Sequence, residues 1–148
     1  MEKKDFHIEK KISRIGAYGL AFRENKILLV TQDKGPFKGL YDLPGGGIDF
    51  GEEIEEALRR EFIEETASDF SSSRLFSNFS ATTSVPSNGD KPGFNFHQIG
   101  LIYIVEGLHE LAPRGELIKS WIHFNDLTKE KMAPLAWLAG EKFFSIIR

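Results

Sequence analysis

Glu61, Glu64 and Glu65 stand at positions i, i+3 and i+4 of the run Arg60-Glu61-Phe62-Ile63-Glu64-Glu65. On a helix at about 100° per residue, positions three and four apart share a face, so the three carboxylates converge. On the same helix Ile54, Ala57, Leu58 and Phe62 make an apolar stripe that belongs against a core. Glu61 and Glu65 fall inside that stripe and Glu64 at its edge. Acids there face mutual repulsion, desolvation and the partial negative charge of a helix C-terminus. A hard divalent cation offsets all three effects. An ion held this way polarises a phosphoryl oxygen and activates a water for attack.

The elements around this run must present it. A helix is expected from Gly51 or Phe50 to about Thr66, preceded by the glycine turn Gly45-Gly46-Gly47. Before it, residues 12–22 read as a strand, Arg23-Glu24-Asn25 as a tight turn, and residues 27–31 as a short buried strand. Residues 33–39 read as a Gly- and Pro-containing loop, and Tyr41-Asp42-Leu43 as an extended piece ahead of Pro44. After the helix come a polar break at 68–73, strands at 75–85 and 94–105 flanking a long turn at 86–93, a loop at 107–115 and a strand at 117–124. Asp126 or Thr128 is expected to cap a last helix running through Trp137 to Ile147. The order, without simple βα alternation, argues an α/β domain with a mixed β-sheet between helices, one domain over residues 1–148.

Composition narrows the classes. With 148 residues, 41% hydrophobic and 28% charged, the chain suits a globular domain with a real core. A net charge of −3 provides no overall attraction to nucleic acid. With no cysteine, disulfides are excluded and a metal must be held by oxygen or histidine. The start, Met1 to His7, lacks the apolar core of a signal peptide, and no apolar run approaches the roughly 20 residues of a membrane span. A cytoplasmic protein is expected.

The full pattern is Leu43-Pro44-Gly45-Gly46, five residues, Glu52, seven residues, then Arg60-Glu61-Phe62-x-Glu64-Glu65. It closely resembles the Nudix box of the Nudix hydrolases, the MutT-like enzymes. It departs at the end, where Ala67 replaces the usual Gly and Ser68 an apolar residue, so a different exit from the helix is expected there. The resemblance implies the Nudix fold across most of the chain. It also implies metal ligation by Glu61, Glu64, Glu65 and the carbonyl of Gly45, with Mg²⁺ as the ion and Mn²⁺ as the alternative. Arg60 is expected to orient Glu61 or its neighbours through charge-assisted hydrogen bonds. For Glu52 two readings stand: support of the site, or plain stabilisation of the helix start by a first-turn acid. Gly46 lets the backbone approach a diphosphate closely. Glu53, Glu55 and Glu56 read as a solvated acidic face with Arg59 as a local partner.

Outside the box the residues speak less. Lys34 and Lys38 are candidates for phosphate contact or ordinary surface lysines, the latter favoured. Phe94 and Phe96 share a strand face and could line a pocket, though core packing is favoured. His97 and His123 read as structural groups in strands, His109 as a loop residue beside Glu110, and Trp121 and Trp137 as core anchors. Family members often recruit one further glutamate from a later loop as ligand or base, and Glu106, Glu110 and Glu116 are its candidates here.

The expectation is a Mg²⁺-dependent hydrolase that cleaves the diphosphate linkage of a nucleoside diphosphate derivative: a nucleoside triphosphate, a sugar nucleotide, ADP-ribose or a dinucleoside polyphosphate. Its partner would be that small nucleotide, with no membrane and no nucleic acid; a homodimer stays open. The rival reading, a catalytically weak nucleotide-sensing Nudix module, is disfavoured because every box carboxylate is present. The isomerase branch of the fold uses a cysteine that this chain lacks.

Overall fold

The computed structural model describes residues 10–147; the segment before it, where the sequence shows no leader-like core, lies outside the described residues. Alternating and continuous apolar runs form the expected strands. β1 (Lys11–Leu20), β2 (Phe22–Arg23), β3 (Lys26–Thr31), β4 (Tyr41–Asp42) and β5 (Gly45–Gly47) precede α1 (Ile54–Thr66). After it come β6 (Ser68–Asp69), β7 (Ser72–Val85), β8 (Phe94–Glu106), β9 (His109–Glu110), β10 (Ile118–His123) and α2 (Pro134–Ile147).

The strands pair as β5-β1-β8-β7 in one sheet and β10-β3-β2 in another, with β4 on β3. A small pair, β6 with β9, stands apart. Strands β1 and β8 run parallel over ten residue pairs, while β5 and β7 pair antiparallel, so the first sheet is mixed. Only Ala21 separates β1 from β2, and its carbonyl accepts from Leu28 N–H, which joins the two sheets. The tight turn at Glu24-Asn25 has both residues at positive φ, 50° and 63°, the conformation of a two-residue hairpin whose twist matches its strands.

The helices cover opposite faces. Ala57, Leu58 and Phe62 of α1 pack with Ala17, Leu28, Tyr103 and Val105. Leu135, Ala139 and Phe143 of α2 pack with Tyr18, Leu20, Leu29 and Ile102. Neighbouring strand residues thus serve different cores, as alternation requires. Ile54, expected in the apolar stripe, is the first residue of α1 and is 39% exposed. Trp121 and Trp137 are only partly buried, at the margins of the two cores.

Both helices begin later than the sequence suggests. Gly51 has φ 86°, a left-handed conformation that no helix accommodates, so α1 starts after it with Glu53 as its cap. The Glu53 N–H donates to Glu56 Oε1 at 3.0 Å, half of a capping box. For α2, neither Asp126 nor Thr128 starts the helix. Residues 124–126 and 129–131 form single 3₁₀ turns, and the Ala133 N–H donates to Tyr41 O, which holds the chain extended until Pro134 opens the helix. Among the described residues no helix is long and apolar enough to cross a membrane.

Candidate active site

Strand β5 is an edge strand made of glycine alone, and α1 lies against it. The reason for glycine is steric. A Cβ on Gly45, at φ 151°, would meet Ala17 O at 2.2 Å and Tyr18 Cα at 2.6 Å. A Cβ on Gly46 would meet the Glu61 carboxyl carbon at 2.7 Å. The absent side chains let the acidic edge of α1 press onto the turn. Glu61 rests on Gly46, and the Gly45 N–H donates to Glu65 Oε1 at 3.1 Å.

Arg60 organises the other side of the cluster. Its Nε and Nη2 donate to the two oxygens of Glu52 at 2.7 and 3.0 Å, a bidentate grip. Its Nη1 donates to Glu61 Oε1 at 2.9 Å and lies 3.6 Å from Glu64 Oε1. Its Nη2 also reaches Gly47 O at 3.2 Å. Glu52 itself accepts from the Asp49 N–H at 2.8 Å. Because α1 starts after Glu53, Glu52 lies outside its first turn, and its side-chain partner is Arg60.

Charge follows geometry. Hydrogen bonding from Arg60 holds the Glu52 carboxyl down at about 2. Burial pushes Glu65 up to about 8 against the Gly45 hydrogen bond, helped by the charges of Asp42, Glu61 and Glu116. Burial likewise raises Glu61, although Arg60 opposes it.

The C-terminal end of α1 is pinned by the chain segment that follows β9. Glu116 N–H donates to Glu64 O at 2.9 Å, Leu117 N–H to Glu65 O at 3.2 Å, and Leu111 N–H to Ala67 O at 2.8 Å. Lys119 Nζ donates to Thr66 O at 2.8 Å, to Ser68 Oγ at 3.1 Å and to Glu110 Oε1 at 2.8 Å. Ala67 sits at φ 55° and ψ 27°, the left-handed geometry that a glycine would supply. The expected change of helix exit is therefore not seen; alanine bears the strain and the exit is kept. Arg59 pairs with Asp69 and with Phe70 O at 2.9 Å, and stacks on the Phe70 ring, rather than pairing with the acidic face of α1.

The box residues thus gather at one edge. Lys34 and Lys38 lie exposed on the loop between β3 and β4. Of the three later acids, Glu110 is taken by Lys119, and Glu106 and Glu116 are both exposed, Glu116 being joined to α1 through its backbone N–H. His123 Nδ1 accepts from Asn125 N–H, a structural role.

A family model for the NUDIX domain matches residues 12–142. The chain belongs to the Nudix family. Over 48 residues it is 50% identical to an ADP-ribose pyrophosphatase of Methanocaldococcus jannaschii, covering 32% of this chain and 28% of that protein. Over 36 residues it is 56% identical to the nucleoside triphosphatase NudI of Escherichia coli, covering 24% of this chain and 26% of that one. The chain thus matches little more than a quarter of the length of these curated relatives. A MutT NUDIX hydrolase from Burkholderia pseudomallei shares the fold with TM-score 0.64 at 23% identity, over 88% of this chain and 98% of that one.

Nudix hydrolases generally use divalent metals, and the residues here fit one. The donors are all oxygen, and the partly buried acids Glu61 and Glu65 sit against glycine backbone, with Arg60 paired to Glu61. Among the described residues no three acidic or histidine side chains are gathered closely enough to enclose an ion. Two of them are engaged, Glu61 with Arg60 and Glu65 with Gly45. Ligation by both would exchange these hydrogen bonds for an ion.

Proposed function

We propose that this single-domain chain, residues 1–148, is a cytoplasmic pyrophosphohydrolase that cleaves the diphosphate linkage of a nucleoside diphosphate derivative. The observation that carries the reading is the pressing of Glu61 and Glu65 onto Gly46 and Gly45. It supports Glu61, Glu64, Glu65 and the Gly45 carbonyl as the residues that would hold Mg²⁺ or Mn²⁺. When bound, such an ion stabilises charge on a phosphoryl oxygen and acidifies a water.

The chain's own groups do the rest. Gly46 and Gly47 present backbone without side chains to a diphosphate, and the exposed Lys34 and Lys38 of the β3–β4 loop are candidate further phosphate contacts. Arg60 fixes Glu61 in orientation and is itself fixed by Glu52. Glu116, joined to Glu64 through its backbone, is the candidate to accept the proton of the attacking water. Water adds to one phosphorus as the other phosphate leaves.

The names of the curated relatives, an ADP-ribose pyrophosphatase and a nucleoside triphosphatase, support two substrate classes. The purified protein incubated with nucleoside triphosphates, ADP-ribose, sugar nucleotides and dinucleoside polyphosphates, with Mg²⁺ or with EDTA, tests the reading. Cleavage of one class, identified by product mass and abolished by EDTA, is expected; no cleavage across the panel contradicts it.

A further inference from the structure

We propose that the sheet face opposite α1 carries a nucleobase-recognition site built on Gln98, with Phe96 and Phe37 as its stacking wall and Arg14 at its phosphate end. The inference rests on the nucleotide reading above and names the part of the substrate that reading leaves open.

Alternation along β8 places Phe96, Gln98, Gly100 and Ile102 on one face, and Ile102 packs in the core under α2. Gln98 is 9% exposed, and its Oε1 is buried with no hydrogen-bond partner among the described residues. The other buried polar side chains are satisfied: Asp42 by Gln32 and Leu43, Thr66 by Phe62, Ser68 by Lys119. A buried amide oxygen left without a donor is unfavourable, and native proteins keep few of them.

The first turn of α2 packs on Gly100, where a Cβ would meet Leu135 Cδ1 at 2.8 Å. Gln98 lies one step further along β8, between that helix end and Phe96, whose ring stacks on Phe37 of the β3–β4 loop at 6.2 Å and 30°. On the parallel strand β1, Arg14 is the register partner of Gln98 and so shares its face. Arg14 is exposed and carries no ion pair among the described residues, and its Cδ lies 3.8 Å from where a Cβ on Gly47 would sit. One row of residues therefore links an orphan amide to the glycine turn.

The chemistry of that row selects a ligand class. An amide whose oxygen lacks a donor takes an exocyclic N–H, and its nitrogen can donate to the adjoining ring nitrogen. This is the pairing by which Gln reads the edge of adenine. A planar ring is also what an aromatic wall stacks. A nucleotide seated this way runs along the row toward Arg14 and Gly47 at the edge strand β5, and its phosphates must round that edge to meet the carboxylates of α1 on the other face. The site takes a base with an exocyclic amino group beside an unprotonated ring nitrogen, of which adenine is the purine.

Calorimetric titration with AMP, IMP and ribose 5-phosphate tests the proposal without requiring turnover. The wild-type protein is expected to bind AMP about tenfold or more tightly than IMP or ribose 5-phosphate. In Gln98→Leu that preference disappears while the melting temperature is unchanged or higher, since an unpaired buried oxygen is removed. Phe37→Ala, a loop change outside the core, also weakens AMP and leaves ribose 5-phosphate unmoved. AMP bound no more tightly than ribose 5-phosphate, or AMP affinity equal in wild type and Gln98→Leu, overturns the site. Hydrolysis with AMP affinity unmoved by Gln98→Leu refutes this site alone. AMP selectivity that depends on Gln98 in a protein without hydrolysis supports this site and refutes the hydrolase.

Discussion

Arg60 holds both carboxylate oxygens of Glu52, at 2.7 and 3.0 Å, across eight residues of chain, and with its remaining nitrogen it donates to Glu61. The guanidinium is therefore a spacer between an acid that stabilises it and an acid proposed to do chemistry. Its planar fork makes this arrangement specific to arginine. Arg60→Lys keeps the charge and loses the fork. Steady-state kinetics should show kcat/KM down by about 10–100-fold in Arg60→Lys, and Glu52→Gln should fall in the same range. The double variant should lose little more than either single one, because both break one unit. Full additivity would separate Glu52 from Arg60.

The two glycines against α1 make contrasting predictions. A Cβ at Gly45 collides with backbone at Ala17 and Tyr18, which cannot yield cheaply. Gly45→Ala should be destabilised by about 2 kcal/mol or more in urea unfolding. At Gly46 the obstacle is the Glu61 carboxylate, the end of a flexible side chain. Gly46→Ala should keep its melting temperature within a few degrees and lose turnover as Glu61 is displaced. Equal loss of stability in both variants would contradict this assignment.

Asp42 gives a pH signature. It is buried, accepts from Gln32 Nε2 and Leu43 N–H, and burial pushes its carboxyl up to about 6. An acid that holds its proton more tightly when folded stabilises the protein fully below the unfolded value. That stability is lost as pH rises toward the folded value. Wild type should therefore lose about 3 kcal/mol relative to Asp42→Asn between about pH 4 and pH 6, and no more above that. Denaturant melts of both proteins at several pH values measure the difference. A difference independent of pH would mean that Asp42 titrates normally.

Lys119 caps the last turn of α1, where no basic residue of the helix itself is available. Its ammonium meets the partial negative charge of the helix end as well as Ser68 and Glu110. Lys119→Met keeps the stem and removes three hydrogen bonds. It should lose about 1.5–3 kcal/mol in chemical denaturation, and Lys119→Arg should recover part of it. An unchanged midpoint in Lys119→Met would show the contacts to be idle.

The strands and the acidic run were legible because their signals are local. Period-two alternation, Pro and Gly punctuation and the spacing of Gly46, Glu52, Arg60 and Glu61 need no partner to be read. The helix starts are not legible in the sequence because their causes are not local. Gly51 adopts φ 86°, and Ala133 is held extended by Tyr41, ninety-odd residues earlier in the chain. Lys119, Glu116 and Arg14 gain their meaning only from strand register and from the docking of one segment on α1. Gln98 did leave a trace: a lone amide at the head of the apolar run Ile99 to Val105 is an anomaly in a buried strand. That it lacks a partner was visible only in three dimensions.

Hydrolysis through the carboxylates on α1 is measured by kcat of Glu61→Gln and Glu65→Gln on the best substrate of the wild-type protein at saturating Mg²⁺, beside circular dichroism of both variants. Turnover should fall by about a thousandfold or more, in the range set by losing a transition-state charge contact, with native spectra. Near-normal kcat in both folded variants would contradict it.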